Sequence, residues 1–592
     1  MDDLLRYYEE ELAGFRREAA DFAKRYPKIA SRLDLSANES TDPHVERLIE
    51  SVALLCTRAR LRAEAKLPAL AQSALQILYP DLACPVPAMS IARMSLDAER
   101  GRFDTGFRVT RGTQLSSRPV AGEVYRFRTC FDVDLWPLTV AGLAAVPVKS
   151  GAAIDLRLSS DADLRLEAIE SLTIHLTGFS SFRLYELLAA HVDRLEVWDG
   201  GKKISRDGEP GAVEVTGFED DQAALPGTRQ TFSGLRILRE YLSLPEKFLF
   251  LKLRLPKLRE SIEIAKSQSF SIRLYMKPSA GRVERDLDQN VIHLGCTPVI
   301  NLFPQIAEPV MVTQQKAEYL VIPDIHRRRS MEIYSIDEVA TMPVDGSEPR
   351  KLLPLYGQQA TGGSQGGFWT LRRSAPSLPD DPMDTYLGLA DLPMEPGGAA
   401  SDVLTVRATC TNVNNPSRMA WGSEMGDLAA DDSPGSFAIS RVVLLRRPTP
   451  RLLPPLGGRT ERALISHMAL QHLSLSEDGA GVLRRLLQAL DATEQAATAR
   501  QIEAIVNVVT RREIAHLYIG GARMPVPGTH IEVGLDEEAF VGGGAYLFGA
   551  VLDRFLSLYA SLNTFTQLRV TSRQRREAVG NWPPRAGIQA AI

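Results

Sequence analysis

Along the first eighty residues, apolar side chains recur every three or four positions. Leu4, Tyr8, Leu12, Phe15, Ala19 and Phe22 line one face of a helix, and Pro27 stands just beyond it as a stop. Asp42-Pro43 opens a second helix, with Asp as the cap and Pro at the first helical position, where its missing N–H costs nothing. Its stripe is Val45, Leu48, Ile49, Val52, Leu55, Cys56 and Ala59. A third pattern runs from Pro68 through Leu70, Ala71, Ala74, Leu75 and Leu78 to Pro80. Such stripes either fill a private core or meet another chain, and periodicity alone leaves both open.

Beyond Pro80, the segment Cys84-Pro85-Val86-Pro87 marks a boundary, and the period changes from helical to alternating. Strands are expected near 91–96, 125–135, 154–158, 172–176 and 195–198, with a helix over 182–191 and hairpin-like turns at Gly200-Gly201 and Asp207-Gly208. Further strands are expected at 248–255 and 269–276. The intervals 356–398, rich in Gly and Asp, and 425–436, acidic, read as surface loops. The last part predicts a helix over 481–490, strands at 502–512 and 531–535, a strong helix from Tyr546 to Leu562, and a strand at 565–570. The expected fold is α+β and multidomain: a helical arm over 1–88, a strand-rich domain over 89–230, a mixed α/β domain with long loops over 231–455, and a C-terminal α+β domain over 456–592.

Composition narrows the function classes. The 592 residues carry a net charge of −4, which supplies no global field for nucleic acid. No run approaches the roughly 18 apolar residues of a membrane span. The start, Met-Asp-Asp-Leu-Leu, lacks the cationic and apolar regions of a secretion signal, so a cytosolic location is expected. Cys56, Cys84, Cys130, Cys296 and Cys410 are scattered without a C-x-x-C pair, which predicts free, mostly buried thiols and no zinc site.

The chemistry-bearing patterns are weak. Gly362-Gly363-Ser364-Gln365-Gly366 matches the nucleophile-elbow pattern, but polar residues precede it where a buried strand is required. His467 and His472 stand five apart, not the four that put two ligands on one helix face. Gly542-Gly543-Gly544 lacks the Lys-Ser/Thr of a phosphate loop and reads as a turn before a helix. Arg327-Arg328-Arg329 is the densest basic cluster, either a solvated face or a partner contact. No catalytic residue, cofactor or metal is expected.

Four blocks, in order from the first helix to the last ten residues, resemble a known family. They are Tyr7-Tyr8-Glu9-Glu10-Glu11-Leu12 with 22–30 and 42–48; Phe232-Ser233-Gly234-Leu235-Arg236-Ile237 and onward to Phe250; Cys296-Thr297-Pro298-Val299-Ile300-Asn301-Leu302-Phe303-Pro304 with Val321-Ile322-Pro323-Asp324; and 534–540 through 562–566 to Trp582-Pro583-Pro584-Arg585-Ala586-Gly587. Together they resemble the TssF (VasA/ImpG) family of bacterial type VI secretion baseplate subunits. The stretch 362–398 departs from that pattern.

The resemblance implies a non-enzymatic wedge subunit of a contractile machine. Two copies would pair with one TssG, TssK and TssE would join them, and six wedges would surround the spike hub as a platform for tube and sheath. It also implies a helical bundle at the wedge centre, other domains reaching neighbouring wedges, and a cytoplasmic baseplate docked at an inner-membrane complex. Candidate contact residues are Leu12, Phe15, Val45 and Leu48 on the arm; Tyr241 and Phe248 at the helix ended by Pro245; Phe303; and Arg327 with Arg328. The rival readings are a wedge protein of a phage or other contractile particle, and a hydrolase using Ser364.

Overall fold

The computed structural model describes residues 2–592 except 31–42, 65–73, 98–99, 102, 121, 149–150, 207–210, 228–232, 260–261, 281–287, 314–315, 343–348, 356–366, 377, 379, 391–402, 432–437, 456–478, 520–521, 541–543, 558–559, 561–563 and 588–592. Contacts divide the chain into two units, one made of 1–75 with 456–464, the other of 76–455 with 465–592. Ser364, His467 and His472, and the predicted helical turns at 68–73, lie outside the described residues.

The first unit is helical. Helix α1 spans Asp2–Arg25, α2 Pro27–Ala30 and α3 Pro43–Glu64. Pro27 ends α1 because it has no N–H to continue the ladder, and the same residue opens α2, where none is needed. α1 packs along α3, and Arg16 reaches Glu46 across the pair at 2.5 Å. Thr57, in the buried part of α3, returns its hydroxyl to the Ala53 carbonyl at 2.8 Å.

The second unit begins with a closed barrel. Its strands, in neighbour order, are Met89–Leu96, Cys296–Ile300, Arg126–Thr129, Gln114–Ser117, Leu428–Ala430 and Ile439–Leu444, the last pairing back onto the first. Alternation along the first strand sorts its side chains. Ala92 and Met94 join Leu115, Phe127, Val299 and Leu444 in one core, whereas Met89 and Ile91 point the other way, into a core with Phe131, Leu244 and Phe250. The barrel draws strands from both sides of the boundary expected at 230, so those two stretches share one sheet instead of forming separate domains.

Three further sheets follow. One orders Lys202–Lys203, Val192–Asp199, Ser269–Met276, Gly151–Ser160 and Leu138–Val148; another orders Ala212–Val215, Phe250–Arg254, Ser171–Leu176 and Ile292–Leu294. Gly200 and Gly201, both at positive φ, form the two-residue turn that returns Asp199 onto Lys202. The eight-stranded sheet places Val403–Thr411 beside Glu332–Met342 and buries Phe303, Ile333, Val339, Val406 and Cys410. It also includes Phe368–Arg373 and Thr385–Ala390, so the expected loop over 356–398 holds two paired strands. Their half-buried positions carry Trp369, Leu371, Tyr386 and Leu389, apolar residues that the glycine count around them obscured.

Asn301 joins the barrel to that sheet. Its side-chain nitrogen donates to the Arg126 carbonyl at 2.6 Å and to Asn412 Oδ1 at 2.8 Å. Its oxygen accepts from Thr411 Oγ1 and from the Asn412 backbone N–H, both at 2.7 Å. All four bonds of the amide are satisfied at zero exposure. Asn301→Ala should therefore cost about 2 kcal/mol in urea unfolding, since each partner is left buried and unmatched. A loss below about 0.5 kcal/mol would mean that water replaces the amide.

The C-terminal portion has helices Gly479–Leu490 and Ala496–Glu503, a hairpin of Ile505–Ile519 with Ala522–Leu535, helix Ala545–Leu556 and strand Phe565–Ser572. The predicted strand at 502–512 starts only at Ile505, because the preceding residues complete a helix that buries Ile502. The strand predicted at 531–535 is the end of one fourteen residues long. Helix Ala545–Leu556 carries Gly549 beneath Trp582, where a Cβ would stand 2.5 Å from the indole, and it lays Phe548 against Tyr241 at 5.9 Å.

Candidate assembly surfaces

The expected contact residues fall into three groups. Tyr241, Phe248 and Phe303 are interior, at 2%, 0% and 1% exposure. Tyr241 and Phe248 are buried because helix Ser233–Ser243 and the 3-10 turn Pro245–Phe248 pack on Phe548 and Phe218, and Phe303 because its strand pairs with Val403–Thr411. As folded they hold the chain together and offer no outside surface, a correction to the sequence-based expectation. The aromatic spacing read correctly as structure but could not tell an internal lock from an external one.

On the arm, Leu12 and Phe15 are half-buried, Leu48 is 66% exposed, and the Val45 side chain is outside the described residues. Leu48, Val52 and Leu55 recur at i, i+4 and i+7, so they form one apolar ridge along α3. All three are exposed, as are Phe22, Tyr26 and Ile29 near the end of α1. An apolar ridge of this length facing water is the physical signature of a contact surface.

The third group lies at one end of the barrel. Arg327 faces Glu123 at 3.9 Å and Arg328 faces Asp384 at 3.5 Å, with both pairs on the surface. Glu123 belongs to the 118–125 loop, and Arg118 of the same loop donates to the Met425 carbonyl at 3.3 Å. Three loops thus meet, exposing Val120, Ile325, Trp421 and Met425. The 420–427 loop is rigid: the buried Asp427 carboxylate accepts from the N–H groups of Gly422 at 2.9 Å, Ser423 at 3.1 Å and Leu444 at 2.8 Å. Gly422 and Gly426 supply the positive φ that the loop requires. An exposed Trp and Met on a hydrogen-bonded loop near Arg118 have the composition of an interface anchor. The available signal was Trp421 next to Gly422 and Met425 next to Gly426, at the edge of the stretch read as an acidic loop.

The interior offers little chemistry. A cavity of about 550 Å3 is lined by Arg93, Trp136, Asp161, His293 and Arg441 among others. His293 Nδ1 lies 3.4 Å from Arg93, which can only donate, so Nε2 carries the proton and donates to Thr177 Oγ1 at 2.9 Å. Burial and the Arg93 charge hold His293 down to about 4, so it stays neutral. Ser440 in the same wall donates to the Ser95 carbonyl at 3.0 Å instead of facing a base. Burial pushes the Cys130 thiol up to about 12 and that of Cys410 likewise to about 12, which keeps both protonated and inert. Among the described residues, no three His, Cys, Asp or Glu side chains converge as a metal set, and no helix is long and apolar enough to cross a membrane.

The family model for the type VI secretion system protein TssF matches residues 1–589. The chain belongs to the TssF family. It is 30% identical over 623 residues to "Type VI secretion system component TssF1" of Pseudomonas aeruginosa, covering 99% of this chain and 98% of that one. The TssF fold recurs in two solved assemblies. A chain of the TssK-TssF-TssG baseplate subcomplex superposes with a TM-score of 0.73 at 24% identity, covering 91% of this chain and 98% of that one. A chain of the baseplate complex from the type VI secretion system gives 0.59 at 23% identity, over 99% and 100%.

Proposed function

We propose that this TssF-family chain is a structural wedge subunit of a type VI secretion baseplate, working by binding proteins and without catalysis. Its partners are a TssK-like and a TssG-like subunit, as in the named subcomplex whose chain shares its fold; the observation that carries the reading is the family match along residues 1–589. A TssE-like subunit, a second copy of this chain for each TssG-like subunit, and contacts to neighbouring wedges, spike hub and sheath complete the proposed platform. It stands in the cytoplasm against an inner-membrane complex.

Within this reading the α3 ridge of Leu48, Val52 and Leu55 enters a shared helical bundle, because its exposed apolar area needs another helix to cover it. Co-expression with the TssG-like and TssK-like subunits of the same organism should yield a complex with two copies of this chain per TssG-like subunit. A chain that stays alone in the presence of both would overturn the reading.

The double substitution Leu48→Asp/Leu55→Asp should leave the melting temperature unchanged, since both positions already face water, and cut recovery of the complex by at least about tenfold. Full recovery would remove α3 from the interface. Aspartate at the half-buried Leu12 and Phe15 tests something different, because a charge at a half-buried apolar position also destabilises the fold itself.

A further inference from the structure

The cavity of about 550 Å3 beside His293 opens where three sheets meet. Arg93 and Leu96 come from the barrel strand Met89–Leu96, Leu138 and Val140 from the edge strand Leu138–Val148, and Ile292 through Leu294 from the edge of the four-stranded sheet. Its volume suits a small organic ligand. Alternation along the barrel strand puts Arg93 on the face of Met89 and Ile91, so a buried apolar row ends in a half-buried cation. One of its five N–H groups donates to His293 Nδ1 at 3.4 Å, and among the described residues no carboxylate pairs with it.

The second donor is an indole. The benzene half of Trp136 lies on Gly106 so closely that a Cβ there would come within 2.9 Å of the ring, and Gly106 stands at a φ of +77°, where glycine is favoured. That contact fixes the ring in the cavity wall. Its Nε1–H is shut off from solvent and has no acceptor among the described residues. Buried donors left unmatched are rare, and an indole can only donate. The charge of the wall is small. Arg93 and Arg441 are positive, Asp161 is negative, and His293 stays neutral because burial and the Arg93 charge hold it down to about 4. Two cations against one anion match a singly charged group better than a doubly charged one.

We propose that this cavity binds a carboxylate carried on an apolar body, with Arg93 and the Trp136 Nε1–H donating to its oxygens and Leu135, Leu138 and Val140 covering the rest. A free small acid and the C-terminus of a protein chain both present that group. The site stands independently of the baseplate reading.

Indole NMR tests it on the full chain labelled with 15N-tryptophan, where Trp136→Phe assigns one resonance among the five tryptophans. Titrated with 3-phenylpropionate, the Trp136 N–H peak moves downfield and saturates, and the neutral 3-phenylpropionamide binds at least about tenfold more weakly. Arg93→Gln keeps a donor for His293 Nδ1 and removes the charge, so it weakens the carboxylate by at least about tenfold, to the level of the amide. If Arg93→Gln lowers the melting temperature, Trp136→Phe decides instead: it keeps a ring on Gly106 and removes only the N–H, and ligand-observed NMR should show 3-phenylpropionate bound about five- to tenfold more weakly. Unchanged affinity in that variant overturns the proposal. An N-acetylated tetrapeptide ending in Phe separates the sources. Tighter binding than 3-phenylpropionate assigns the cavity to a chain terminus, weaker binding to a free acid, and either upholds the carboxylate site. A Trp136 peak that neither acid moves overturns it. Equal binding of acid and amide, or tighter binding of inorganic phosphate, overturns it as well.

Discussion

Replacing Lys247 by methionine should destabilise the chain by about 3–5 kcal/mol, read as a lower melting temperature or urea midpoint. Lys247 and Glu240 are both interior, at 1% and 0% side-chain exposure, with 2.6 Å between Nζ and Oε2. The ammonium also donates to the Gly217 carbonyl and lies 4.4 Å from the centre of the Phe248 ring. The other Glu240 oxygen accepts from the N–H groups of Ala224 at 2.9 Å and Leu225 at 2.8 Å. Burial lowers the Lys247 pKa, and the Glu240 charge opposes that shift. Methionine fills the same space but, among the described residues, leaves the carboxylate with only Arg236, at 4.0 Å, as a countercharge. The double variant Lys247→Met/Glu240→Gln should recover part of the loss, because the Gln carbonyl still accepts both N–H groups and buries no charge. If the two variants are equally unstable, the ammonium's bond to Gly217, not the ion pair, is what matters.

Acid should weaken the fold through two facing imidazoles. His175 and His293 stand opposite each other on neighbouring strands, and His175 stacks on Phe250 with 4.3 Å between ring centres. Burial lowers His175 to about 3, with His293 adding to the shift, and burial with Arg93 lowers His293 to about 4. Both values lie below the usual 6.5. From pH 6.5 downward the unfolded chain therefore binds protons that the folded chain refuses, so stability drops with pH by about 1.4 kcal/mol per unit for each histidine. The loss stops as pH falls through about 4 for His293 and about 3 for His175. Glu332 and Asp553, whose pKa values burial raises, act in the opposite direction, so the measurement is a difference. His175→Phe/His293→Gln should flatten the pH dependence between 6 and 4 by about 2–3 kcal/mol per unit relative to the parent. Identical slopes would show that the folded chain already carries both protons.

The readable parts of this fold are those where local pattern and tertiary burial agree. Ser269–Met276 was legible because Phe270, Ile272 and Leu274 alternate and all three are buried. Pro27, Pro43 and Pro245 fixed helix ends by a rule that needs no tertiary partner. The strand expected at 502–512 stops at Arg512 because Glu513 onward carries no strand pattern, and only pairing with Ala522 through Gly528 extends it to Ile519. The exposed apolar surfaces were legible as stripes but not by residue. Periodicity put Leu12, Phe15 and Leu48 on apolar stripes, yet which stripe faces inward depends on how α1 lies along α3. The order of the loop after Trp421 was not legible, because it comes from Asp427 bonding across to Leu444, seventeen residues away.

The barrel closes when Ile439–Leu444 pairs with Met89–Leu96. The two halves of that seam leave the ribosome far apart in time: at about 5–20 residues per second, some 350 residues take roughly 20–70 seconds to synthesise. Until then the first strand carries Met89, Ile91, Ala92 and Met94 with one side unclaimed. Truncated nascent chains ending before residue 444 should thus stay bound to holdase chaperones, and chains extended past 455 should be released.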